Sequence, residues 1–127
     1  GGDGVVIQRR RAVEITPTVV HTSVGAVEHL RVVKVTNLVR AVDWLKEQRL
    51  WIVGMEALPE AETYYEADLS GPLGVVVGSE GKGMRRLVRE SCDFLVRLPM
   101  RGRVTSLNAS IAGSVLLYEV LRQRGTW

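Results

Sequence analysis

The chain has 127 residues, 46% hydrophobic and 24% charged, which is the size and balance of one globular domain. No stretch approaches the roughly 20 consecutive apolar residues of a membrane span, so none is expected. A single cysteine, Cys92, leaves no internal disulfide, and no Cys or His cluster has zinc-ligand spacing. A cytoplasmic protein without a structural metal is the expectation.

In chain order, Gly4 to Gln8 (GVVIQ) reads as a strand, followed by the basic run Arg9, Arg10, Arg11. Such a run is either a solvated loop or a contact for a polyanion. Thr16-Pro17 has the form of an N-cap followed by proline at the first helical position, predicting a short helix from Pro17 to about Val24 that Gly25 ends. His21 and His29 flank that end without a partner at ligand spacing, and read as structural or surface residues. Arg31 to Val35 is a second strand with Thr36 as a cap. Leu38, Ala41, Val42 and Leu45 then form the apolar stripe of a helix, leaving Arg40, Lys46, Glu47 and Arg49 to solvent.

Leu50 to Met55 is the next strand, with Trp51 expected in the core, and its end at Gly54-Met55-Glu56 is a place for a ligand to touch backbone. Glu56 to Asp68 is an acidic loop with room for a short helical turn. Its five carboxylates lack an EF-hand order and read as a solvated surface. Gly71-Pro72 then punctuates before the buried strand Leu73 to Val77.

After that strand the glycines at Gly78, Gly81 and Gly83 are spaced G-x-x-G-x-G. This matches neither the dinucleotide fingerprint nor the P-loop, because Lys82 precedes the last glycine and Met84 follows it. A generic strand-to-helix turn and a ligand-facing turn both remain open. Asp93 to Leu98 is a further short strand that Pro99 ends, and MRGRVT is a basic loop. Ser106 is placed to cap a helix from Leu107 to Arg124, with Leu107, Ile111, Val115, Leu117 and Tyr118 on or near one apolar face. Strands alternating with helices predict an α/β fold, a mostly parallel sheet with helices on both faces. Ligands in such sheets collect at the carboxyl ends of strands, so two loops following two strands make one pocket.

Charge follows the same division. Residues 1 to 77 hold 8 Lys/Arg against 10 Asp/Glu, a net of −2, and residues 78 to 127 hold 9 against 4, a net of +5. Lys82, Arg85, Arg86, Arg89, Arg97, Arg101 and Arg103 lie in or beside the two loops. Such a distribution suits nucleic-acid phosphates, although any one of these cations reads equally as part of a solvated face.

GSEGKGM, followed by LVRLPMRGRVTSLNASIAG, resembles the second and third motifs of the SpoU family, also called TrmH, of RNA 2'-O-ribose methyltransferases in the SPOUT superfamily. The upstream text GGDGVVIQRRRAVEITPTVVHTSVGAVEHLRVVKVTNLVRA is similar to the central region of its rRNA-directed guanosine branch. The resemblance covers essentially all 127 residues. It implies a SPOUT-type fold with a C-terminal trefoil knot, a homodimer with its active site near the subunit interface, and S-adenosylmethionine as cofactor. The family's first motif, an Asn- and Arg-bearing strand-loop-helix, normally precedes the segment that starts here at Gly1. Residues 1–127 therefore read as a catalytic domain lacking its first strand and helix, and the arginine that activates the 2'-OH falls in that absent motif.

Carried over by position, the resemblance implies that Gly78 lies against the cofactor through its backbone, that Leu98 and Leu107 give backbone hydrogen bonds and apolar contact to adenosine, and that Met100 is adjacent. Gly54 and Gly83 join this cofactor set as close-approach glycines. Glu80, Ser106 and Asn108 occupy the polar positions that orient the hydroxyl, the ribose and the arginine, although Ser106 and Asn108 also read as simple caps of the last helix. Arg9, Arg10, Arg11, Lys82, Arg85, Arg86, Arg101 and Arg103 are the expected RNA contacts. The implied reaction is methylation of a ribose 2'-OH, on a guanosine of 23S rRNA first and on tRNA second. The competing readings are a non-catalytic RNA-binding or dimerisation fragment and, more remotely, a doubly wound nucleotide-binding enzyme.

Overall fold

The computed structural model describes residues 4–8, 31–78, 84–101 and 109–125. The chain divides into two compact units, Gly1–Ala41 and Val42–Trp127. In the first, β1 (Gly4–Gln8) and β2 (Arg31–Val35) pair in parallel, with Gly4 opposite Arg31 and Gln8 opposite Val35. Both strands fall where their Val-rich runs predict them. The register partners Val6 and Val33 are both exposed. Helix α1 (Leu38–Glu47) starts in this unit and carries the expected stripe. Its cap is Asn37 and not Thr36, because the Asn37 Oδ1 accepts the free Arg40 N–H of the first turn at 3.1 Å. The predicted Pro17 to Val24 helix, Arg9 to Arg11, His21 and His29 lie outside the described residues.

The second unit is a four-stranded sheet built from β3 (Trp51–Met55), β4 (Glu62–Thr63), β5 (Leu73–Val77) and β6 (Phe94–Arg97). Its spatial order is β4-β6-β3-β5, and every pairing is parallel. Two further helices belong to it, α2 (Arg86–Ser91) and α3 (Ala109–Arg124). The mostly parallel sheet expected from the alternation of elements is thus present.

Strand β3 sits between β5 and β6, and Ile52, Val53, Gly54 and Met55 are all buried. The period-2 alternation of a strand sends them to two faces. On one face Val53 and Met55 pack with Ala67, Leu69, Val96, Leu116 and Val120. On the other, Ile52 reaches across Gly74, its Cδ1 standing 2.8 Å from where a Cβ on that glycine would be.

Three expectations are corrected. Trp51 is 59% exposed, because the strand starts at Trp51 and only the residues after it lie between covered faces. The acidic loop carries no helical turn; it contributes the two-residue strand β4, with Glu62 opposite Val96 and Thr63 opposite Arg97. On α3 the inward face is Gly113, Leu116, Glu119 and Val120, while Ile111, Leu117 and Tyr118 are exposed. The helix approaches β5 closely where it is smallest: a Cβ on Gly113 would meet Val77 Cγ2 at 3.4 Å. Apolar residues stand almost all round this helix, so periodicity alone did not single out the side facing the sheet.

The amino end of the sheet is held by Asp93. Its N–H donates to the Ile52 carbonyl at 2.7 Å, and its Oδ2 accepts the Ile52 N–H at 2.7 Å. Lys46 Nζ lies 3.6 Å from Asp93 Oδ1 and donates to the Ser91 carbonyl at 3.2 Å. A side chain therefore supplies the ladder bond that β6 is too short to make. Replacing Asp93 by Ala strands the Ile52 amide and should cost about 2 kcal/mol in denaturant unfolding, with Asp93→Asn losing less because it keeps an acceptor. Leu116→Ala should cost about 3 kcal/mol and Leu117→Ala less than about 1 kcal/mol, measured in the same way, since only Leu116 fills the core.

Candidate functional site at the carboxyl edge of the sheet

Because β3, β5 and β6 are parallel, their carboxyl ends Met55, Val77 and Arg97 share one edge, and Glu56, Gly78 and Leu98 follow there. Neighbouring strands stand about 4.8 Å apart, so Gly78 and Leu98 flank the end of β3 across roughly 10 Å. That gap is the right order for a nucleoside. The Glu56 N–H donates to the Val96 carbonyl at 3.0 Å, extending the ladder by one residue. Beside it the Tyr64 N–H donates to the Arg97 carbonyl at 3.0 Å, and Arg97 Nε donates to the Ala61 carbonyl at 3.1 Å. Arg97 is therefore engaged in holding the acidic loop.

Leu98 and Met100 are half-buried, and Leu98 packs on the core cluster. Gly78 is half-buried, while Arg101, Arg85 and Arg86 are exposed. Arg86 pairs with Glu90 at 3.7 Å, one turn along α2; both are exposed and screened, so the pair contributes little. Lys82, Glu80, Gly83, Arg103, Ser106, Leu107 and Asn108 lie outside the described residues. The structure thus brings Gly54, Gly78, Leu98 and Met100 to one sheet edge or next to it, and leaves Arg85, Arg86 and Arg101 open to solvent.

Gly54 has a packing reason to lack a side chain. A Cβ there would meet Cys92 Sγ and Met84 Cε at 2.8 Å and Leu95 Cδ2 at 3.0 Å. The Cys92 thiol, whose nearest acceptor is the Val88 carbonyl at 3.4 Å, is pushed up to about 11, by burial first and by the Asp93 charge second. It stays a thiol at neutral pH and is no nucleophile there.

Helix α3 carries a feature that sequence reasoning missed. A groove of about 550 Å³ runs along it, lined by Tyr64, Ile111, Val115, Tyr118, Glu119 and Arg122 among others. Arg122 Nη2 donates to Glu119 Oε2 at 3.0 Å, and this hydrogen bonding holds the Glu119 carboxyl below its usual range. Behind them Gln123 clamps the preceding loop, donating to the Ala67 carbonyl at 2.9 Å and accepting the Leu69 N–H at 2.7 Å. The E-x-x-R spacing on a helix with apolar residues on every side was the available signal. Among the described residues no helix is long and apolar enough to cross a membrane.

Residues 1–118 match the model of the SpoU rRNA Methylase family. YacO of Bacillus subtilis (strain 168), named for the TrmH family of tRNA/rRNA methyltransferases, is 53% identical over 124 residues, which is 98% of this chain and 49% of that protein. A crystal structure of an RNA 2'-O ribose methyltransferase superposes with a TM-score of 0.84 at 36% identity, covering 98% of this chain and 47% of that one. The SpoU methyltransferase AviRb from Streptomyces viridochromogenes, in complex with AdoMet, gives 0.86 at 29% identity over 98% of this chain and 51% of its own. The chain thus spans about half the length of these relatives. Its parallel sheet with flanking helices is the architecture of the SpoU methyltransferases, and the chain belongs to the SpoU, or TrmH, family.

Proposed function

We propose that residues 1–127 form the catalytic domain of an S-adenosylmethionine-dependent RNA 2'-O-ribose methyltransferase, acting on a guanosine of 23S rRNA in preference to tRNA. The observation that carries this reading is the shared carboxyl edge of β3, β5 and β6, with Gly78 and Leu98 on either side of the β3 end, in a chain of the SpoU family. The residues present suit the donor: Leu98 and Met100 offer half-buried apolar surface to an adenine, and Gly78, having no side chain, lets a ligand approach its backbone. S-adenosylmethionine, when bound, supplies an electrophilic sulfonium methyl and leaves as a neutral thioether.

The chain's own task is alignment. An in-line displacement needs the ribose oxygen held on the axis of the breaking bond, and its proton accepted as the new carbon–oxygen bond forms. Glu80, Ser106 and Asn108 are the residues proposed to orient the ribose, with Gly83 and Leu107 completing the donor side and Gly54 supporting it through packing. Lys82, Arg85, Arg86, Arg101, Arg103 and the run Arg9 to Arg11 meet RNA phosphates, whose counterions their binding would release. The reading places the protein in the cytoplasm as a homodimer. Helix α3 supports the second copy, since its large apolar residues Ile111, Leu117 and Tyr118 are exposed together in one chain.

The test gives methyl-labelled S-adenosylmethionine and 23S rRNA or bulk tRNA to a protein in which the family's first motif, with its activating arginine, precedes Gly1, then digests the RNA to nucleosides. Label in 2'-O-methylguanosine from rRNA, lost on Gly78→Val, is expected; label on a base would overturn the ribose assignment, and label in tRNA alone would reverse the substrate order. Sedimentation should show a dimer that Tyr118→Asp converts to a monomer, the charge being unfavourable in an apolar interface.

A further inference from the structure

We propose that Glu56 is a positioning residue which, with Gly54, clamps Met84 and thereby sets the affinity of the donor site; this rests on the donor reading given above. Gly54 and Glu56 are two residues apart at the end of β3, so they address the same face of the sheet. Both engage one residue. Met84 Cε stands 2.8 Å from where a Gly54 Cβ would be, so the buried Met84 side chain fills the space that the missing Cβ leaves against the strand. The half-buried Glu56 carboxylate accepts the Met84 N–H at 3.4 Å through Oε2.

Met84 stands six positions after Gly78 and directly after Gly83, where the glycine-rich motif ends. Side chain and backbone of this one residue are thus both tied to β3, the strand between Gly78 and Leu98. Fixing it before the ligand arrives removes an ordering cost from binding. Gly54 accordingly acts on the site through packing, by making room for Met84, and the acceptor at Glu56 fixes the direction of the Met84 amide.

The experiment pairs calorimetric titration of S-adenosylmethionine with amide hydrogen exchange at Met84, in the full chain and in Glu56→Ala and Glu56→Gln. Glu56→Ala should exchange Met84 faster and bind the donor about tenfold more weakly, with its thermal midpoint unchanged, and Glu56→Gln, which keeps an acceptor, should recover most of the affinity. Unchanged Met84 exchange in Glu56→Ala would overturn the clamp. Faster exchange with wild-type affinity would overturn its role in binding. Wild-type protein that takes up no S-adenosylmethionine would instead sink the donor reading, while the exchange arm still judges the clamp.

Discussion

Strand β3 is the constraint on which the second unit depends. A parallel strand with parallel neighbours on both sides has its backbone bonded in both directions and must bury side chains on both faces. Four consecutive buried residues, Ile52 to Met55, meet that demand. Two glycines permit this: Gly74 on the neighbouring β5 leaves room for Ile52, and Gly54 of β3 itself lets Met84, Cys92 and Leu95 close over the strand. Asp93 then starts the β6 ladder with a side-chain acceptor. A one-residue slip of β3 would exchange its two faces and lose the match of Ile52 to Gly74 and of Met84, Cys92 and Leu95 to Gly54.

The same parallel direction sets the candidate site at one edge. Had β5 or β6 run the other way, Gly78 and Leu98 would have stood at opposite ends of the sheet. With all strands aligned, Glu56, Gly78 and the half-buried Leu98 follow the strand ends at one edge. The charge asymmetry between the two parts of the sequence, −2 against +5, puts the basic excess in the part that holds the loops after β5 and β6.

Helix α3 serves two surfaces. Its Leu116 and Val120 complete the core and its Gln123 secures the chain at Ala67 and Leu69. Its outer side presents Ile111 and Tyr118 beside the Glu119–Arg122 pair. Buried apolar residues on one side and the exposed Ile111, Leu117 and Tyr118 on the other therefore stand on one helix.

The strands at Gly4 to Gln8, Arg31 to Val35 and Leu73 to Val77 were legible in the sequence because each is a short Val-rich run, and local composition suffices to specify an extended segment. The family motifs were legible too, since they are patterns of residue type along the chain. Other features depended on contacts remote in sequence. Trp51 lies outside because the strand begins with it; α3 turns Leu116 inward because Gly113 permits close approach to Val77; Glu62 and Thr63 become a strand only because β6 offers an edge. The sequence by itself determined the Val-rich strands, the apolar stripe of α1 and the family, all of which are set by nearest neighbours and spacing. The tertiary structure alone decided which face of α3 is core and that Gly54 is a packing glycine beside Met84, because burial is a property of the assembled sheet and is carried by no single segment.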